Sequence, residues 1–234
     1  MAGQPNRSKT KRAPLTRERV LRAAIALADD RGATALTMRN VAKELGVEAM
    51  SLYNHVANKD DLLDGMVDLV FSEIEPPGAG GDWKTELRQR AMATRAALAR
   101  HRWAIGEMEG RTDHGPANMR VHDAVLGCLR AAGFSYEMTV HAYSLQDAYI
   151  YGFALQESDM SSRTPGDFAD EAQRQMRAYA SVLADYPYVA DVVGGHVAKV
   201  GYDFAAAFAD GLELILDALE QRRLSLPAPR EGVR

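Results

Sequence analysis

The sequence predicts an all-α protein: an N-terminal three-helix helix-turn-helix domain, joined by a connecting helix to a larger helical ligand-binding and dimerisation domain. Three observations predict it. Apolar residues recur three and four positions apart along the long segments, the spacing of one helix face. Gly32, Gly46, Gly133 and a Pro/Gly cluster at 76–81 punctuate those segments, and little strand-type alternation is present. Finally, residues 36–64 read LTMRNVAKELGVEAMSLYNHVANKDDLLD, two short periodic segments on either side of Gly46. A bracing helix, a glycine turn and a second short helix with a polar free face make up a helix-turn-helix.

In chain order, residues 1–14 carry Arg7, Lys9, Lys11 and Arg12 without an apolar core, which predicts a disordered basic arm rather than a signal peptide. The segment 17–31 is a helix started by Thr16 and stopped by Gly32, with Val20, Leu21, Ala24, Ile25, Leu27 and Ala28 on its apolar side. Thr37 caps the next helix at Met38, because its hydroxyl can accept an orphan backbone N–H. Val41, Ala42 and Leu45 line one face, and Gly46 ends the helix because it takes positive φ cheaply. The following helix is short, about seven residues, and too short to hold itself in water. Leu52 and Val56 give it one buried face; Ala49, Ser51, Asn54 and His55 point elsewhere, with Tyr53 at the boundary. This places the reading unit at 15–58.

A connecting helix spans 59–75. Its Leu62, Leu63, Met66, Val67, Val70, Phe71 and Ile74 go round more than one side, so it should touch both domains. The second domain covers 82–225. Within it, helices are expected at 83–100, 118–132, 136–157, 167–184 and 197–223, with a short segment at 103–109 and a polar loop at 158–166. Residues 226–234 read as a disordered tail. Phe204, Phe208, Leu212 and Ile215 form one apolar stripe on the last helix and, with Tyr151, are the expected dimer interface.

Charge separates the two parts. Residues 1–59 hold 11 Lys/Arg against 5 Asp/Glu, a balance of +6; the remaining residues hold 17 against 27, and the two together restore the chain's −4. A basic end on an acidic body suits contact with a polyanion through that end alone.

The segment 15–74 resembles the DNA-binding domain of the TetR family of bacterial repressors. The matching residues are Thr37, Arg39, the Gly46-Val47 turn, Ser51-Leu52-Tyr53, His55 and Asn58-Lys59 followed by Leu62-Leu63. The rest is similar to the tetracycline-repressor subgroup through an Ala-Gly-Phe-Ser turn at 132–135 and a long helix holding Tyr151-Gly152. The resemblance implies a guanine-reading role for Arg39, whose planar fork matches O6 and N7. It implies base contact for Ser51, and phosphate contact for Thr37, Tyr53, His55 and Lys59. Ala49 suits a thymine methyl. Met38, Ala49-Met50 and Asn54 depart from the tetracycline-repressor pattern, so a different operator is expected, with Asn54 still counted among the DNA-facing residues.

One recognition helix makes too few contacts for a specific site, so a homodimer on a palindromic double-stranded DNA operator is expected. In the second domain, Arg90, Thr94, His122, Gln146 and Asp147 interrupt apolar stretches, near Trp103, Met108 and Tyr143. A few polar anchors among aromatics is the make-up of a small-molecule site. The resemblance adds Val125, Val140 and Ser144 to that lining. It also puts Met108 where the subgroup holds magnesium through a histidine, and a thioether suits a hard cation poorly. The expected effector is therefore a small molecule other than tetracycline–magnesium, with no cofactor and no metal.

At 47% hydrophobic the chain can bury a sizeable core, yet no uncharged apolar run reaches about 18 residues, so no membrane partner is expected. The lone Cys128 forms no internal disulfide and fits a cytoplasmic location. No phosphate loop, nucleophile elbow or paired metal-ligand motif is present, so no enzyme is expected. The sequence thus points to a ligand-responsive transcriptional regulator, a repressor in the first instance. A ligand-independent architectural DNA-binding protein, or an activator of the same fold, is the alternative.

Overall fold

The computed structural model describes residues 14–108, 115–163, 185–192, 195 and 203–225. Every regular element among them is helical. Helix α1 (Arg17–Arg31) begins where Thr16 accepts the Arg19 N–H at 3.2 Å and ends at Gly32. Helix α2 (Met38–Leu45) is capped by Thr37, which accepts the Asn40 N–H at 3.1 Å. Gly46 then adopts φ 65°, the left-handed conformation that turns the chain into α3 (Ala49–Leu52). Helix α3 is four residues long, shorter than the sequence predicts, because the chain leaves the α-helix at Tyr53 and closes with turn hydrogen bonds from His55 and Val56 to the Leu52 carbonyl. Leu52 and Val56 remain buried, as their spacing requires.

Helix α4 (Lys59–Phe71) is capped by Asn58 and buries Leu62, Leu63, Met66, Val67, Val70 and Phe71. It packs on α1 on one side and on the second domain on the other. Gly65 permits the first of these contacts: a Cβ there would lie 2.8 Å from a methyl of Leu21. The helix ends at Phe71, before the predicted boundary, and Ile74 stays buried through a following turn.

The second domain comprises α5 (Trp83–Arg100), α6 (Ala104–Met108), α7 (Pro116–Ala131), α8 (Tyr136–Arg163), α9 (Pro187–Val192) and α10 (Phe204–Ser225). Helix α5 packs on α7, α8 and α10, and α4 reaches α6 and α7. Helix α8 continues through 158–163, where a polar loop is expected. Helix α9 occupies a stretch for which the sequence suggested only a stop. The basic arm before Pro14, the 167–184 helix, most of the first turns of the 197–223 helix and the 226–234 tail lie outside the described residues. No described helix is long and apolar enough to cross a membrane.

The last helix corrects one expectation. Phe208 and Leu212 are fully buried in the chain's own core, so the stripe they head does not form a free face. Phe208 stacks on Tyr149 at 5.2 Å between ring centroids and meets Phe153 edge-on at 5.1 Å, while the Arg95 guanidinium lies 5.4 Å above it. Phe204 packs edge-on against Phe153, and Phe204, Ile215 and Tyr151 are half-buried beside this cluster. A stripe at three-to-four spacing specifies burial but not the partner that provides it, and here α5 and α8 provide it. The exposed large apolar residues of α10 are Leu214, on the opposite side, and Leu224 near its end. Leu212→Ala is accordingly expected to cost about 2–5 kcal/mol of unfolding free energy. Urea denaturation measures this, and a loss below about 1 kcal/mol would be incompatible with a core position.

Candidate functional site

The reading head is held by a polar tie that local sequence periodicity does not announce. Arg17 donates to both oxygens of Asp61, at 3.0 and 2.5 Å, and to the carbonyl of His55 at 3.0 Å. Asp61 also accepts the Ala57 N–H at 2.7 Å. One guanidinium and one carboxylate thus join the start of α1, the exit from α3 and the first turn of α4. The Arg17 hydrogen bond, against some burial, holds the Asp61 carboxyl below its ordinary range, and Ala57 contributes in the same direction. The four-residue α3 borrows its rigidity from this tie and from buried Leu52.

On that scaffold, Thr37, Arg39, Tyr53, Asn54 and Lys59 are exposed, while Ala49, Ser51 and His55 are half-buried. Arg39 enters no ion pair among the described residues. The Thr37 oxygen caps α2, leaving its hydroxyl proton able to donate outward. Met50, on the same short helix, is among the most exposed large apolar side chains of the chain.

In the second domain, Arg90 is 3% exposed at the centre of α5. Its Nη1 lies 2.7 Å from Asp147 Oδ1 and donates to Gln146 Oε1 at 3.2 Å. Gln146 Nε2 reaches the Leu87 carbonyl at 3.4 Å, and Thr94 donates to the Arg90 carbonyl at 2.8 Å. Burial, with the Asp147 carboxylate beside it, pushes the Tyr143 phenol far above its ordinary range. The Tyr143 ring stacks on His122 at 4.3 Å. The cluster therefore runs Thr94–Arg90–Asp147–Tyr143–His122, with Gln146 alongside. Among the described residues, Arg90 Nε and Asp147 Oδ1 have no hydrogen-bond partner, although Oδ1 faces Arg90 Nη1 as an ion pair. Val125 is fully buried and Met108 half-buried in the adjoining apolar core.

Three expected lining residues are not brought to this cluster. Val140 is 59% exposed and Ser144 is also exposed, because the register of α8 puts Thr139, Ala142, Gln146 and Ile150 inward instead. Trp103 points to the other domain, where its Nε1 donates to Asp29 of α1 at 2.7 Å. Asp68 is a further residue that sequence reasoning missed. From α4 it accepts the N–H groups of Ala117 and Asn118 at 2.8 and 3.0 Å, capping α7, whose own Gly115 offers no side chain. The missing cap at Gly115 was a visible signal; its donor, almost 50 residues away, was not.

Comparison with known proteins decides the family. Residues 20–66 match the model for bacterial regulatory proteins of the tetR family, and residues 75–223 match the tetracyclin repressor-like C-terminal domain. The chain belongs to the TetR family. It is 36% identical over 213 residues to the HTH-type transcriptional repressor DrrR1 of Streptomyces coeruleorubidus, covering 88% of this chain and 77% of that one. It is 32% identical over 221 residues to the class A tetracycline repressor from transposon 1721 of Escherichia coli, covering 91% and 95%. Among solved structures, Streptomyces coelicolor ActR in complex with actinorhodin aligns with a TM-score of 0.74 at 29% identity, covering 90% of this chain and 99% of that one. These relatives are transcriptional regulators, and the all-helical two-domain architecture is theirs.

In this TetR-family chain the two matched regions meet within and just after α4. The Arg17–Asp61 tie joins that one helix to the reading unit, and the Asp68 carboxylate joins it to the sensing unit. Because the folded Asp61 carboxyl titrates below its ordinary value, the tie's stabilisation is present above that value and is lost as pH falls through the folded-state one. Asp61→Asn should flatten the acid limb of the stability profile while costing at most about 1 kcal/mol near neutrality, given the pair's partial exposure. Thermal unfolding from neutral pH into the acid range measures this; an unchanged acid limb would show that the pair contributes nothing.

Proposed function

We propose that this TetR-family regulator is a repressor that binds a palindromic operator as a homodimer and leaves it when a small-molecule effector enters the second domain. The reading unit is 15–58, the connecting helix lies within 59–75 and the sensing unit within 82–225. Arg39 reads a guanine edge, Ser51 and Ala49 face bases, Asn54 lies beside them, and Thr37, Tyr53, His55 and Lys59 contact phosphates. The exposure of Arg39, with no ionic partner among the described residues, supports this, since a guanidinium committed to an internal carboxylate would not be available to DNA.

The observation that carries the sensing half of the proposal is the buried Arg90–Asp147 pair. A charged pair inside a helical core is costly unless its hydrogen bonds are met. Here one donor and one acceptor are left unmet among the described residues. An effector that offers an acceptor to Arg90 Nε and a donor to Asp147 would meet both, with His122 and Tyr143 flanking it. ActR was crystallised with actinorhodin, which fits a small molecule acting on the second domain of such proteins. Tetracycline–magnesium is not the effector we propose, because Met108 stands where the resemblance puts the histidine that would hold the magnesium. Binding in this cluster would shift α4, and with it the spacing of two reading heads.

Dimerisation is assigned to the outer sides of α8 and α10. Leu145, Leu155 and Leu214 are exposed there beside the small residues Ala148 and Gly152, in place of the buried Phe208 and Leu212. Leu214→Glu is expected to shift the protein from dimer to monomer in sedimentation at micromolar concentration; an unchanged dimer would move the interface elsewhere.

Selection of bound fragments from random DNA, followed by gel shifts, tests the operator reading. Enrichment of one inverted repeat supports it, and indiscriminate binding would favour an architectural protein. Arg39→Ala should weaken the selected operator by about 1–3 kcal/mol and relax selectivity at one base pair per half-site. Unchanged affinity and selectivity would remove Arg39 from the reading set. A metabolite panel scored for operator release tests the sensing half, with tetracycline plus magnesium expected to leave the complex intact.

A further inference from the structure

His101 stands at the C-terminal end of α5, 7% exposed, with a carboxylate at each ring nitrogen. Nδ1 lies 2.9 and 3.0 Å from the two oxygens of Asp29 in α1. Nε2 lies 3.2 Å from Glu73, in the turn that follows α4. Trp103 Nε1 donates to the same Asp29, and Arg100 donates to Glu73 at 2.6 Å. Arg22 of α1 lines the adjoining cleft together with Asp29, Ser72 and Glu73, and itself pairs with Glu18. The charged groups around the ring are therefore two carboxylates from the reading side, Arg100 from its own helix and Arg22 at the edge.

A neutral imidazole has one N–H and one lone pair. Either tautomer would turn a lone pair toward one of these carboxylates, which are themselves 29% and 39% exposed beside a ring that is almost covered. Only the imidazolium donates to both, and it also balances the second carboxylate that Arg100 leaves uncompensated. Glu73 points the same way: burial pushes its carboxyl up, yet Arg100 and His101 together hold it below its ordinary range.

We infer that His101 is a positioning residue which, as the imidazolium, ties α1 and the end of α4 to the sensing domain, so that operator affinity rises on mild acidification. The reading head is then held by the sensing domain through a contact that depends on the charge of one imidazole. The inference rests on the proposed repressor reading, with the described arrangement as its operator-binding form, and extends that reading from small-molecule control to control by pH.

His55 is a second imidazole, proposed at the DNA, so the test uses a His55→Gln background. In that background, operator affinity by fluorescence anisotropy should fall about threefold or more between roughly pH 6 and 8. Adding His101→Gln should give a flat profile near the weaker value. An equal slope with and without His101→Gln overturns the inference. Glu73→Gln, which leaves the imidazole and Asp29 in place, should also reduce the slope, and it serves if the His101 variant fails to fold. A DNA-free readout separates the two proposals. In Trp83→Phe protein the emission of Trp103, bonded to Asp29, should shift over the same pH range, and His101→Gln should abolish the shift. An emission change without operator binding would fault the repressor reading alone; a pH-independent emission would fault the tie.

Discussion

Helix α4 has to satisfy two neighbours at once, and the rest of the structure follows from that constraint. It has 13 residues and buries six apolar side chains, too many for one face of so short a helix. One side meets α1, closely enough that Gly65 has no room for a side chain; the other meets α6 and α7. Neither the reading unit nor the sensing unit can cover these residues alone. A helix shared in this way cannot shift against one partner without repacking the other, because close-packed side chains have few alternative fits. Coupling between the two ends of the chain is therefore a consequence of how the hydrophobic residues are spaced on one helix.

The polar groups near that helix refine what the apolar packing leaves open. Leu52 and Val56 bury the base of α3 but do not set its angle. Arg17 and Asp61 do, by holding the His55 carbonyl and the Ala57 amide from opposite sides. In the sensing unit the balance differs. Arg90 and Asp147 neutralise each other but leave hydrogen-bonding capacity unspent among the described residues. An apolar pair of the same volume would make a more stable core. Retaining charge there is a cost that packing does not explain, whereas recognition of a polar ligand does.

How much of this the sequence discloses depends on the range of the interaction. Helix starts at Thr16 and Thr37, the fourth helix beginning at Lys59, and the glycine turn at Gly46 are local chemistry and read correctly from the chain. So do the core positions of α1, α2 and α4, because their periodicity is unambiguous. Phe208 and Leu212 show where the reading runs out: a stripe declares that it will be buried, and only the fold says that α5 and α8 of the same chain bury it. Val140 and Ser144 fail for a related reason. Helix α8 turns Thr139, Ala142, Gln146 and Ile150 inward; Ser144 falls away from that face, and Val140, one residue past Thr139, lies off its edge nearer the start of the helix, where it is left exposed. Asp68, Asp61 and His101 each act on a residue far along the chain, so no window of sequence contains both partners.

The chemistry of the domain junction fits a movable contact better than a permanent one. Around the apolar residues of α4, the junction is completed by Asp29, Asp68 and Glu73, all carboxylates on the reading side. Their partners on the sensing side are backbone amides, an imidazole, an indole N–H and a guanidinium. Each of these contacts can be exchanged for water at modest net free energy, since a hydrogen bond lost to solvent is largely replaced. An apolar seam of the same extent would have to expose its whole area to separate. The apolar part of α4 therefore keeps the two units together, and the carboxylates select among the angles that packing allows. Because all three sit on one side, a change in charge on the sensing side acts on them in the same sense. The acidic excess outside the first 59 residues, which at first only marked the DNA-facing end by contrast, thus also supplies Glu73 and Asp68 of the junction.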